Sequence, residues 1–224
     1  MNSRVADVAL ATAPDSGVAA DVVLRAARAL SAGQVVAIPT DTVYGLAAAL
    51  DRPDAIERLY TLKGRPVEKA IPVLIADPAR VSMLTSCLSA TAERLAQAFW
   101  PGALTLVLPA LPGLPPGVTT VTNDGIKTVA IRVPDNPVAR AIIAAAGGAL
   151  AVTSANRSGA APAVEARQVC ELGLPVPLLI VDGGRAPGGM PSTIVVATTE
   201  RSEILREGAI PESAITAALA TTEP

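Results

Sequence analysis

The stretch VVAIPTDTVYGLAAAL, Val35 to Leu50, decides how the rest of the chain is read. It opens on a short apolar run, Val35 to Pro39, passes through a polar turn in which Thr40 and Thr42 bracket Asp41, and then meets Gly45. A β-branched apolar run closed by such a turn predicts a buried strand. Upstream, Val23, Ala26, Ala27 and Leu30 recur at helical spacing within Asp21 to Leu30, and Gly33 stands where a C-terminal cap belongs. Downstream, Ile56, Leu59 and Tyr60 give Ala55 to Leu62 a helix face. The order is helix, strand, loop, helix.

The same alternation continues to the C-terminus. Ile71 to Ala76, Leu104 to Leu108, Leu150 to Val152, Leu178 to Val181, Thr193 to Val196 and Glu203 to Leu205 read as strands. Ser89 to Phe99, Asn136 to Ala146 and a segment starting near Pro211 read as helices. In Thr128 to Val133, period two places Thr128, Ala130 and Arg132 on one face, opposite Val129 and Ile131. Interleaved strands and helices predict an α/β fold with a mixed sheet. One domain is expected over 18–219, between a loose N-terminal tail at 1–17 and a short tail at 220–224, and Pro109 to Gly117 reads as a long loop within it.

Composition narrows the chemistry. Half of the 224 residues are apolar, and 18 basic against 20 acidic residues leave a formal charge of −2, so any polyanion site must be local. Cys87 and Cys170 lie far apart without ligand-like spacing, which argues against a zinc site or a disulfide framework and fits a reducing cytoplasm. The longest apolar stretch, Ala141 to Val152, is broken by Gly147 and Gly148 and falls short of a membrane span. No residue is histidine, which removes the usual general base and the Ser-His and Cys-His nucleophile pairs. Catalysis in such a chain must rest on positioning and electrostatics.

Four segments could carry it. Lys63, Arg65 and Lys69 place three cations within seven residues, a set that can grip phosphate oxygens but also suits a solvated helix C-terminus. Ser154, Asn156 and Ser158 gather polar groups just beyond a strand, where ligands of open α/β sheets sit and where ordinary turns and N-caps also use these residues. Asp182 to Gly189 is glycine-rich, yet it matches neither the P-loop nor the dinucleotide fingerprint, and a plain turn is its simpler reading. Arg132 and Arg206 sit on or beside strands, where a lone arginine is usually at the surface.

Seven motifs occur in order: IPTDTVYGL from Ile38, YTLKGRPVEKAI from Tyr60, WPGALTLVL from Trp100, TVAIRVP from Thr128, TSANRSG from Thr153, DGG from Asp182 with STIV from Ser192, and ILREG from Ile204. Together, over about Ala20 to Ile210, they resemble the YrdC/Sua family of threonylcarbamoyl-adenylate synthases, in its short single-domain form. The resemblance implies a twisted mixed β-sheet flanked by helices around a positively lined cavity. It also implies a reaction joining L-threonine, bicarbonate and ATP into threonylcarbamoyl-AMP and pyrophosphate. The product then passes to a tRNA threonylcarbamoyl transferase complex that modifies the adenosine beside the anticodon. No metal cage is implied, Mg²⁺ arriving with ATP.

The resemblance also assigns residues. Lys63 and Arg65 take the catalytic, triphosphate-binding role, with Val67 and Lys69 beside them, and Thr128, Ser154, Asn156, Pro162 and Arg206 contact ATP. Thr40, Thr42, Arg132, Val152 and Ser192 hold threonine, Arg132 through the carboxylate. Leu74 stands where some members have histidine, and TSAN replaces the commoner PSAN. Two rivals differ in kind: a carbamoyl-transfer module acting through carbamoyl-AMP, and a non-enzymatic RNA-binding protein, or a synthase with only a weak RNA contact. Near-neutral charge and four aromatic residues speak against RNA binding as the main task.

Overall fold

The computed structural model describes residues 7–10, 12–13, 17–122, 125–174, 179–198 and 202–220. Its strands are β1 (Asp7–Leu10), β2 (Thr12–Ala13), β3 (Gly17–Val18), β4 (Val36–Ile38), β5 (Gly45–Ala49), β6 (Val73–Ile75), β7 (Leu104–Pro109), β8 (Thr119–Val121), β9 (Lys127–Arg132), β10 (Ala149–Ser154), β11 (Leu179–Asp182), β12 (Thr193–Val196) and β13 (Glu203–Arg206). The helices are α1 (Ala20–Ser31), α2 (Pro53–Lys63), α3 (Ala90–Phe99), α4 (Pro137–Ala145), α5 (Ala166–Glu171) and α6 (Glu212–Ala220), with a 3-10 turn at Pro78–Met83. Among the described residues no helix is long and apolar enough to cross a membrane.

One mixed sheet runs in the order β1-β11-β4-β5-β10-β6-β9-β7-β12-β13, and β8 adds to β9 off this path. The β4 to β5 hairpin is antiparallel and so is β5 against β10, whereas β11 to β4, β6 to β9 and β7 to β12 are parallel. Strand alternation feeds two cores. Leu46 and Ala48 of β5 join Val73, Leu106, Val129, Ile131 and the buried faces of α2, α3, α5 and α6 on one side. Val36, Ile38, Ala47 and Ala49 join Leu150, Val181 and the buried faces of α1 and α4 on the other. Apolar area removed from water at ~25 cal/mol per Å² is the main force holding both layers to the sheet.

Four features differ from expectation. Part of the segment expected to be a loose tail is sheet: β1 pairs in parallel with β11, because the apolar run beginning at Val8 can extend an existing strand edge. At the other end Ala220 closes α6, while residues 1–6, 221–224 and Leu178 lie outside the described residues. Gly45–Ala49 is a central, wholly buried strand although its sequence, GLAAA, has no β-branched residue; pairing on both edges overrides its weak propensity. The short β8 and α5 also add to the expected elements.

Candidate active site

The two faces of the sheet are not equally covered. Leu104, Leu106 and Leu108 of β7, Val129 and Ile131 of β9 and Val195 of β12 all pack into the core beneath α2, α3, α5 and α6. The residues between them, Thr105, Val107, Thr128, Ala130, Arg132 and Ile194, point to the opposite side, where α1 and α4 cover only the β11-β4-β5-β10-β6 half. The uncovered half is the floor of a cavity of about 610 Å³. The site therefore spreads over a sheet face, joined from strand ends by Ser154, the last residue of β10, and by Thr40 and Thr42 just beyond β4.

At one end stands Arg132, 6% exposed. Its Nε donates to the Gly102 carbonyl (2.9 Å), Nη1 to Thr42 Oγ1 (2.9 Å) and Nη2 to Asp41 Oδ1 (2.6 Å). Three of five N–H groups are thus committed, and one on each terminal nitrogen remains for a further acceptor such as a carboxylate. Burial pushes the guanidinium's pKa down and Asp41 pulls it back up, so it remains a cation. The donation fixes the hydroxyl order in the turn. Thr42 Oγ1, which accepts from Arg132, lies 3.0 Å from Thr40 Oγ1, which in turn donates to the Val43 carbonyl at 2.6 Å. Thr40 Oγ1 also accepts the Thr42 and Val43 amides, so its hydroxyl holds the turn's shape.

At the other end Arg65 reaches in from beyond α2, its Nε on the Lys69 carbonyl (2.8 Å) and Nη2 on the Ala70 carbonyl (2.8 Å). Gly64, in the left-handed conformation (φ 60°), ends α2 and turns the chain here. Lys63 does not itself line the cavity but stands behind Ser154. Its Nζ donates to the Ser154 carbonyl (2.5 Å), Ser154 Oγ (2.9 Å) and Asn156 Oδ1 (2.6 Å), and Ser154 Oγ also donates to Asn156 Oδ1 (2.7 Å). Burial, then the charge of Arg65, pushes the Lys63 ammonium pKa down to about 8. Arg206 donates to the Ser192 carbonyl through Nε (3.2 Å) and Nη2 (2.7 Å), while Ser192 Oγ sits 2.8 Å from Thr105 Oγ1. Burial, then the charges of Arg132 and Arg65, lowers the Arg206 pKa, so the three guanidiniums share one electrostatic field.

The glycine-rich loop after β11 is scaffold. Tyr44 Oη donates to the Gly184 carbonyl (2.7 Å) and accepts the Gly183 amide (3.2 Å); burial and Asp182 push its pKa up to about 12, so it is no base at neutral pH. A Cβ on Gly183 would lie 2.6 Å from Pro39 Cγ, and one on Gly188 would lie 3.2 Å from the Thr42 carbonyl oxygen. Only glycine lets this loop press against the Thr40 to Thr42 turn.

Of the residues expected in the site, Thr40, Thr42, Arg65, Lys69, Thr128, Arg132, Val152, Ser154, Ser192 and Arg206 line the cavity. Lys63 and Asn156 stand behind Ser154 and touch the site through it, Val67 is 75% exposed, and neither Val67 nor Pro162 lines the cavity. Leu74 does line it. Sequence reasoning passed over Asp41, Glu68, Thr105 and Tyr44. Asp41 and Tyr44 lie inside the opening motif, but only the fold brings Arg132 and the glycine loop to them.

A twisted mixed sheet with helices on both faces and a cation-lined cavity on its half-bare side defines a YrdC-like α/β protein. The chain belongs to the Sua5/YciO/YrdC family, whose model, described as telomere recombination, matches residues 28–208. It is similar to the threonylcarbamoyl-AMP synthase of Bacillus subtilis, 40% identical over 198 residues, which is 88% of this chain and 56% of that protein. Sua5 of P. abyssi, solved complexed with L-threonine, superposes with a TM-score of 0.84 at 31% identity, covering 96% of this chain and 61% of that one. E. coli YciO, at 22% identity, shares the fold with a TM-score of 0.78 over 93% of this chain and 98% of its own. The chain thus spans less than two thirds of the length of the Bacillus and Pyrococcus proteins.

Proposed function

We propose that the cavity is the active site of an L-threonylcarbamoyladenylate synthase, acting in the cytoplasm. The observation that carries the reading is the pairing, in one cavity, of a forked guanidinium with two uncommitted N–H groups, on Arg132, and a second group of cations, Arg65, Lys69 and Arg206. The first suits an amino-acid carboxylate and the second a triphosphate. The volume of about 610 Å³ suits a small amino acid and a nucleotide together. The name of the Bacillus relative and the threonine bound to P. abyssi Sua5 support the same substrates.

The amine of threonine and bicarbonate condense to a carbamate with loss of water. A carbamate oxygen then attacks the α-phosphorus of ATP, and pyrophosphate leaves with the bond's electron pair. Arg132 and Ser192 orient the amino acid, Thr42 supports Arg132, and Val152 with Thr40 forms the wall. Arg65, Lys69 and Arg206 stabilise charge on the phosphate oxygens, while Thr128 and Ser154 hold the nucleotide. Lys63 positions Ser154 and Asn156, and reaches a phosphate by exchanging its bond to Ser154 Oγ, which keeps Asn156 as partner. Mg²⁺ enters bound to ATP as part of the substrate. The product goes to a tRNA-modifying transferase. Pyrophosphate release by the purified chain tests the reading: it should require threonine and bicarbonate together, and release independent of threonine would overturn it.

A further inference from the structure

Between the end of α2 and the start of β6, residues 64–72 form neither helix nor strand, yet they carry Arg65 and Lys69 into the cavity lining. One anchor of this segment is Tyr60, in the last turn of α2 and outside the lining. The Tyr60 carbonyl accepts the Arg65 amide (3.0 Å), and its hydroxyl proton is shared between the Gly117 carbonyl (2.6 Å) and the Lys69 carbonyl (3.1 Å). Arg65 Nε donates to that same Lys69 carbonyl (2.8 Å), and the pKa of its guanidinium, lowered by burial, is drawn back up by Tyr60 beside it. Gly117 leads into a different wall of the cavity. Its carbonyl also accepts the Ile71 amide (2.7 Å), and just downstream Thr120 of β8 lines the cavity opposite Thr128 of β9. The tyrosine ring rests on Gly117 so closely that a Cβ there would lie 2.8 Å from Tyr60 Cε2.

We infer that Tyr60 is a positioning residue for polyphosphate binding: its hydroxyl clamps the Lys69 carbonyl, on which Arg65 hangs, to the start of the Thr120 wall, and so holds Arg65 in place before the anion arrives. The inference rests on the function proposed above. An arginine on an irregular segment loses backbone and side-chain freedom when it grips an anion, and whatever fixes it beforehand removes that loss from the binding step. Arg65 has already committed Nε to the Lys69 carbonyl and Nη2 to the Ala70 carbonyl, so the guanidinium moves when those carbonyls move. The Tyr60 hydroxyl restrains the first of them. Without it the segment is still tied down by the Arg65 and Ile71 amides, so the chain folds, while the Lys69 carbonyl and Arg65 gain freedom that the anion must then remove.

A double-mutant cycle separates positioning from support of the fold. Wild type, Tyr60→Phe, Arg65→Lys and the double variant, each as the full chain, are titrated calorimetrically with inorganic tripolyphosphate and, separately, with threonine. Arg65→Lys keeps the charge, so binding stays measurable, but lacks the Nε through which the Lys69 carbonyl steers the guanidinium. Tyr60→Phe should weaken tripolyphosphate binding about 2- to 12-fold and leave threonine affinity unchanged. Beside Arg65→Lys the same substitution should change tripolyphosphate affinity by less than about twofold. Gly117→Ala, whose Cβ displaces the ring, should repeat the loss and its dependence on Arg65, and this arm decides if Tyr60→Phe does not fold. Unchanged tripolyphosphate affinity in a folded Tyr60→Phe, an equal loss in both backgrounds, or a parallel loss of threonine affinity overturns the inference and leaves the functional reading standing. A wild type that binds no tripolyphosphate overturns both together.

Discussion

Replacing Lys63 by methionine keeps the length of the stem and removes the ammonium. Three hydrogen bonds go, to the Ser154 carbonyl, Ser154 Oγ and Asn156 Oδ1. Two of those acceptors retain cover, because Ser154 Oγ still donates to Asn156 Oδ1 and Asn156 Nδ2 still donates to the Ala160 carbonyl (2.6 Å). The third, the Ser154 carbonyl, keeps the Asn156 amide (3.1 Å), so no acceptor is stranded and the cost is that of the lost charge-assisted bonds, about 1.5–3 kcal/mol, partly offset because no ammonium is desolvated. A net loss of about 1–2 kcal/mol corresponds to a Tm lower by roughly 2–8 °C for a chain of this size. Function should suffer more than stability. Removing one charge-assisted bond at the triphosphate, about 1.5–3 kcal/mol, lowers kcat/KM for ATP by roughly 10- to 150-fold. The assay is pyrophosphate release at saturating threonine and bicarbonate over a series of ATP concentrations, beside a thermal melt. A lowered Tm with unchanged kcat/KM for ATP would make Lys63 a strut for the Ser154 turn and nothing more.

The Lys63 ammonium, with its pKa pushed from an ordinary 10.5 to about 8, also sets a pH dependence. The folded chain releases this proton while the unfolded chain still holds it, so the residue's own term in stability rises from pH 8 towards 10.5. Affinity for ATP moves the other way and should fall as pH passes 8; an identical ATP profile in wild type and Lys63→Met would contradict this. Arg132→Lys keeps a charge but loses the fork, and should lower kcat/KM for threonine by about 100-fold while leaving the dissociation constant of ATP within a factor of two, read by equilibrium binding. Gly183→Ala must push a Cβ against the Pro39 ring and should cost about 1–3 kcal/mol in a denaturant titration. Wild-type stability in that variant would mean that the glycine loop does not press on the turn. Tyr44→Phe, which removes the hydroxyl between Gly183 and Gly184, should lose about 1–2 kcal/mol in the same titration.

Much of the site was legible because its residues sit at the ends of strongly patterned segments. Thr128, Ala130 and Arg132 share a face by period two alone, and all three line the cavity. The strand at Gly45–Ala49 was not legible, since alanine carries little strand propensity and only pairing on both edges makes it one. Nor was Asp41 marked as a partner for Arg132, because the two are brought together by a chain of strand pairings, β4 to β5, β5 to β10, β10 to β6 and β6 to β9. A cation at a helix end reads as an exposed group, whereas Lys63 is buried, 5% exposed. Its three acceptors come from the strand β10 and the turn beyond it, about ninety residues away, a proximity that spacing cannot show.

The most direct test of the central claim is the mass of the product. Incubated with ATP, Mg²⁺, L-threonine and ¹³C-bicarbonate, the chain should form threonylcarbamoyl-AMP that carries the label, in step with pyrophosphate. Pyrophosphate without a labelled adenylate, or an adenylate formed equally well when another amino acid replaces threonine, would contradict the assignment of the Arg132 end to threonine and of the cavity to this reaction.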